Sequence, residues 1–147
     1  MSVLVAKVVP PKGWHQDQDA SYDICGNTLV PDGFTFENAE SIMYVRALYK
    51  PRMPETKSLN KLIADDKKEF LQEKPDIVIA DVGVINAADG KKFRSFTFFP
   101  KNKGDWEQVA YGEEGDFYLI FTLSSKKKKG FDKTQGIFTN LILGYKE

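Results

Sequence analysis

One cysteine, Cys25, and one histidine, His15, are all that this 147-residue chain offers of two residue types much used for metal ligation and nucleophilic catalysis. A lone cysteine excludes an internal disulfide framework and any multi-cysteine zinc site. No H-E-x-x-H pair, glycine-rich phosphate loop or G-x-S-x-G elbow occurs, which counts against several common enzyme classes. Charge of one sign is lacking as well, since 21 Lys and Arg balance 21 Asp and Glu. A nucleic-acid binder ordinarily carries a basic excess because phosphate neutralisation dominates its affinity, so no nucleic-acid partner is expected. No apolar run approaches the roughly 18 residues of a membrane span, and no transmembrane segment is expected. The start, MSVLVAKVVPPKGW, lacks the charged opening and long apolar core of an export signal. A periplasmic or secreted location follows if such a signal has been removed, and a cytoplasmic one otherwise.

Aromatic residues, by contrast, are abundant, and they concentrate where the chain is most regular. Residues 91–125 read as three strands, Lys92–Phe99, Trp106–Tyr111 and Phe117–Leu123, joined by the turns PKNKGD and GEEGD. Pro, Asn, Gly and Asp supply the dihedrals of a chain reversal, and links this short join only antiparallel neighbours. Alternation places Phe93, Ser95, Thr97 and Phe99 on one side of the sheet and Arg94, Phe96 and Phe98 on the other. Phe117, Leu119, Phe121 and Leu123 oppose Tyr118, Ile120 and Thr122 in the same way. Both faces are apolar, so both need cover.

The rest of the chain supplies that cover. Residues 1–12 read as a mobile arm or edge strand, with Val3–Val9 β-branched and Pro10-Pro11 ending any ladder. Gly13–Thr35 is polar and punctuated. Ile42–Tyr49 is a strand, and Ser58 caps a helix from Leu59 to about Lys74, stopped by Pro75. Leu59, Leu62, Ile63 and Phe70 form its apolar stripe. Asp76–Ile85 is a strand joined to the meander through an Asp-Gly turn. A second helix follows within FDKTQGIFTNLILGY, with Asp132 and Gln135 at capping-box spacing. The expected order β–α–β–β–β–β–α in one domain, residues 1–147, is an α+β three-layer α/β/α sandwich with a mainly antiparallel meander sheet. A two-layer arrangement with both helices on one face is the structural alternative.

PKGW near the start, IMYVRALYK, SLNKLI, INAADGKKFRSFTFF and the ending GIFTNLILGY together give the chain its profile. In these stretches it resembles the PsbP-like domain family, which includes Mog-type Ran-binding proteins. The resemblance implies a non-catalytic protein-binding or assembly module, exported in some members, with a protein partner and no cofactor. It transfers no site residue, because no matching site motif is present.

Candidate chemistry is sparse. His15, Asp17, Asp19 and Asp23 lie in HQDQDASYD, where alternating oxygen ligands suit calcium. An EF-hand loop starting at Asp17 wants Gly and Glu where Tyr22 and Thr28 stand, so a solvated acidic loop is the expectation and no metal site is assigned. Cys25 with His15 lacks a third, orienting residue for nucleophilic catalysis, and a small buried thiol is expected instead. Asp66 falls within the apolar stripe of the first helix, so it requires a partner such as Arg46 or Arg94, or a place at the rim. Lys126–Lys129 reads as a solvated turn, with an anionic partner as the sharper alternative. Trp14, Trp106, Tyr111 and Tyr118 suit either an aromatic surface or the core. The interaction candidates are therefore His15, Asp66, Arg94, Trp106 and Tyr111. The competing expectation is a small-molecule-binding protein or hydrolase with a pocket between sheet and helix.

Overall fold

The structure, a computed structural model, describes residues 8–23 and 26–146. The elements run β1 (Trp14–Gln16), α1 (Gln18–Asp23), β2 (Gly26–Pro31), β3 (Ser41–Tyr49), α2 (Leu59–Glu73), β4 (Val78–Asn86), β5 (Lys92–Phe99), β6 (Trp106–Glu114), β7 (Phe117–Ser125) and α3 (Lys128–Leu143). The seven strands form one sheet in the order β1-β2-β3-β7-β6-β5-β4, antiparallel at every pairing. The fold is α+β. The meander from β4 to β7 is as the turn chemistry anticipated, and β3 closes against the far side of β7 along its whole length, from Ser41↔Ser125 to Tyr49↔Phe117.

Alternation along β7 divides the interior. Leu119, Phe121 and Leu123 join Phe93, Met43, Val45 and the α3 residues Phe131, Phe138 and Ile142 in one core. Tyr118 and Ile120 join Phe96, Phe98, Val109, Tyr111 and the α2 residues Leu62 and Ile63 in a second. Aromatic edges interlock within each core, with Phe93 against Phe121 at 5.1 Å and 81° in the first and Phe70 stacked on Phe98 at 4.0 Å in the second. Such ring pairs add to the burial energy of the aromatic side chains themselves.

Several expectations need correction. Gly13–Thr35 is not merely a punctuated loop, for it contributes β1, α1 and β2, and β2 pairs with β3 from Gly26↔Arg46 to Leu29↔Met43. Residues 1–7 and Cys25 lie outside the described residues; Val8 and Val9 belong to no strand. Ser58 caps α2 as expected, accepting from the Lys61 amide at 3.1 Å. The capping box at Asp132 is absent, because α3 begins earlier, at Lys128. Asp132 instead pairs with Lys128 at 2.9 Å, and Gln135 donates to Gln108 at 3.1 Å. The first turn of α3 is closely packed at Gly130. A Cβ there would stand 2.6 Å from both Glu40 Oε2 and Ser125 Oγ, so a carboxylate and a hydroxyl are packed against the first turn of α3. An acid at that end complements the helix dipole and offsets the four lysines around it.

Candidate functional site

Strand β3 has two unlike faces. Met43 and Val45 are fully buried against the α3-side core, whereas Tyr44 and Arg46 point to the side that α2 covers. The polar character of that face continues across the sheet. Tyr44 is the Cα partner of Thr122, Arg46 that of Ile120, and Glu107 that of Ser124. Tyr111, also a partner of Ile120, completes the row beneath α2.

Helix α2 answers with a stripe of its own. Asp66, Glu69 and Glu73 recur at i, i+3 and i+7 and so share one helical face, with Phe70 between them. These four residues and Arg46 line a cleft of about 230 Å³ between α2 and the sheet. The arrangement sets three carboxylates and a ring on the helical wall against one guanidinium on the strand. The Arg46 stem reaches over Gly26, where a Cβ would lie 2.9 Å from Arg46 Cγ and 2.5 Å from the Val45 carbonyl oxygen. Only a glycine leaves that path open. The Arg46 side chain makes no hydrogen bond or ion pair among the described residues, and its Nε is buried.

The partner of Asp66 is not an arginine. Tyr111 donates its hydroxyl to Asp66 Oδ2, while Arg94 donates to Asn60 and lies 5.6 Å from the Phe96 ring centroid. The need for a partner was legible in the sequence; the phenol that meets it was not. Burial, with the Asp66 charge adding to it, raises the Tyr111 pKa well above the ordinary phenol value, so Tyr111 remains a donor. Burial, followed by the nearby Glu107 charge, also raises Tyr44. Glu107 itself is pushed up to about 7, chiefly by burial, with Asp105 and Asp66 adding and Ser124 and Lys74 opposing. The residues beneath and beside the cleft thus form one electrostatically linked group, Tyr44, Asp66, Glu107 and Tyr111, with Arg46 acting on Tyr44 and Lys74 on Glu107.

The other candidates are scattered. His15 sits on the edge strand β1 and pairs through Nδ1 with Asp32 at 3.0 Å, both exposed. Asp17 accepts from the Phe36 amide at 3.0 Å, and Asp19 lies in α1. Among the described residues no group of three or more His, Cys, Asp or Glu is arranged to hold a metal. Trp106 stacks obliquely on Phe99 at 5.0 Å and packs on the α3 side, away from the cleft. Tyr111 and Tyr118 are core residues, with the Tyr118 hydroxyl donating to the Thr56 carbonyl at 2.9 Å. Asp66 and Tyr111 are brought together; Arg94 is the cross-strand neighbour of Tyr111 but bonds to Asn60, and His15 and Trp106 lie elsewhere. Glu69, Glu73 and Glu107 belong to no sequence motif, although helical spacing exposes the first two and strand alternation with Val109 and Tyr111 the third.

Among the described residues no helix is long and apolar enough to cross a membrane. No family model matches the chain, and no curated protein matches it. A solved structure of the protein Mog1, a point mutant, is distantly similar, at 13% sequence identity and a TM-score of 0.48 over 90% of this chain and 84% of that one. No residue of the cleft is assigned from it.

Proposed function

We propose that this chain is a non-catalytic binding module, that its binding site is the cleft between β3 and α2, and that the ligand is a small polar molecule. Arg46 carries the proposal. Its side chain is half-buried, and its Nε–H is buried with no hydrogen-bond partner; an unsatisfied buried donor is costly, and an acceptor supplied from outside removes that cost. The volume, about 230 Å³, lies below the roughly 300–1,000 Å³ of pockets for drug-sized ligands and suits a compact one. A non-catalytic role is the reading taken because Asp66, the half-buried carboxylate of the lining, accepts from Tyr111, and Glu69 and Glu73 are exposed. In the same reading the molecule stacks as three layers, with α2 and α3 on opposite faces of the sheet and the cleft at the margin of α2.

A protein partner is the second reading, and one observation favours it. Val78, Val82 and Val84 of the outermost strand β4 are exposed at 57%, 46% and 54%. An extended segment of another protein could add to such an edge. Native mass spectrometry on the wild type and on Arg46→Met, each isolated gently from the host, separates the two. A small mass retained by the wild type and lost from the variant is expected. A protein retained equally by both, with hydrogen-exchange protection along β4, would replace the cleft by the edge. Sequencing the N-terminus of the same material decides between export and a cytoplasmic location.

A further inference from the structure

We infer that the ligand of this cleft is a free α-amino acid, bound as the zwitterion with its carboxylate on Arg46 and its ammonium against the carboxylates of α2. The inference rests on the cleft being the binding site. Its basis is that the two walls ask for opposite charges. Arg46 is the single cation in the lining and lacks a partner. Facing it, Glu69 and Glu73 make no hydrogen bond or ion pair among the described residues, and Asp66 offers Oδ1 because Tyr111 occupies Oδ2. A plain anion would satisfy Arg46 but stand against three carboxylates. A plain cation would satisfy the carboxylates but leave the buried Nε of Arg46 without a hydrogen-bond partner. A molecule with both charges a few bonds apart meets both walls, and each resulting charge-assisted bond is among the stronger polar contacts available.

The remaining lining narrows the class further. Phe70 presents an aromatic surface between the two glutamates, and its ring is held by stacking on Phe98 at 4.0 Å. An apolar side chain beside the zwitterion would rest on it, and the small volume disfavours longer peptides. The Tyr111 hydroxyl acts here as a positioning group, since its donated bond fixes one oxygen of Asp66 and leaves the other without that donor.

The test uses the full chain. The twenty common L-amino acids are screened singly by thermal shift. L-leucine is then compared by calorimetry with 4-methylpentanoate, which lacks the ammonium, and 3-methylbutylamine, which lacks the carboxylate. Leucine is expected to bind about tenfold or more tighter than either analogue, the loss that one charge-assisted bond carries. Arg46→Met should remove leucine and 4-methylpentanoate binding together. A Glu69→Gln, Glu73→Gln double variant, altered at two exposed positions, should weaken leucine while leaving 4-methylpentanoate as tight or tighter. Equal binding of leucine and 4-methylpentanoate overturns the zwitterion and leaves the cleft standing. Absence of binding by every amino acid overturns the inference too, and the Arg46-dependent mass from the host then identifies a different cleft ligand. Leucine binding that survives Arg46→Met, or that perturbs amides outside β3 and α2, overturns the cleft reading itself.

Discussion

Replacing Glu107 by Gln should stabilise the protein at alkaline pH and leave it unchanged in acid. The carboxyl has an ordinary value of 4.5 and is pushed up to about 7 by burial in the folded chain. A carboxyl raised in this way keeps its proton in the folded state while the unfolded chain has already released it. Stability therefore falls as pH rises from about 4.5, and the loss is complete above about 7. The difference between the two values corresponds to about 3 kcal/mol at pH 8 and about 1 kcal/mol at pH 5.5, at 1.36 kcal/mol per unit. Glutamine has the same shape, can still bond Ser124 and carries no charge to desolvate. Urea unfolding followed by tryptophan fluorescence at pH 4, 5.5 and 8 measures the effect. The stability difference between variant and wild type should grow from near zero to about 3 kcal/mol across that series, the latter equivalent to roughly 6–12 °C in Tm for a chain of this size. A difference independent of pH, or a variant less stable at pH 8, would refute the view that Glu107 is a desolvated, strained acid.

The parts of the fold that could be read from the sequence are those in which local chemistry and tertiary demand agree. Short turns of Pro, Asn, Gly and Asp specify antiparallel neighbours, and the alternation along β5 and β7 places each aromatic on the face where it is found. Where the two levels conflict, the tertiary one wins. Gly112, Glu113 and Glu114 look like turn residues, yet the ladder carries β6 to Glu114↔Phe117 and turns on Gly115-Asp116 alone. GNTLVP has the composition of a loop, yet it is held as β2 because β3 offers a full row of backbone partners. The lysine run looks like a solvated turn, but a helix begins inside it, with the Glu40 carboxylate and two serine hydroxyls packed against its first turn. Strand β3 and Glu40 lie far from β2 and the lysine run in sequence or in pattern, so periodicity alone could not supply them.

The site was legible by half for a similar reason. A carboxylate inside an apolar helical stripe announces that Asp66 needs something, but its chemistry admits an arginine or a phenol equally. Which one meets it depends on the register of β6 against β7, which brings Tyr111 beneath α2. In the sequence Arg46 stands out only as a possible partner for that acid. Its isolation is a property of the packed face and has no signature in the strand sequence IMYVRALY.

Tyr111→Phe deletes the hydroxyl that Asp66 accepts and should cost about 1–2 kcal/mol in urea unfolding, less than the full loss of a charge-assisted bond because Asp66 is only half-buried. Ser58→Ala removes the cap on the Lys61 amide and should cost about 1 kcal/mol by the same assay, while Ser58→Gly should cost only a few tenths. Arg46→Met makes the most discriminating variant, because structure and function then move in opposite directions. Methionine keeps the apolar stem that crosses Gly26 and removes a cation that has no partner, so the ligand-free protein should gain roughly 1 kcal/mol. A residue kept for packing would lose stability on replacement, whereas one kept for a ligand gains it and loses binding. Destabilisation by more than about 1 kcal/mol in ligand-free urea unfolding would show that the guanidinium is already satisfied within the fold, and would remove the ground for a ligand at this cleft.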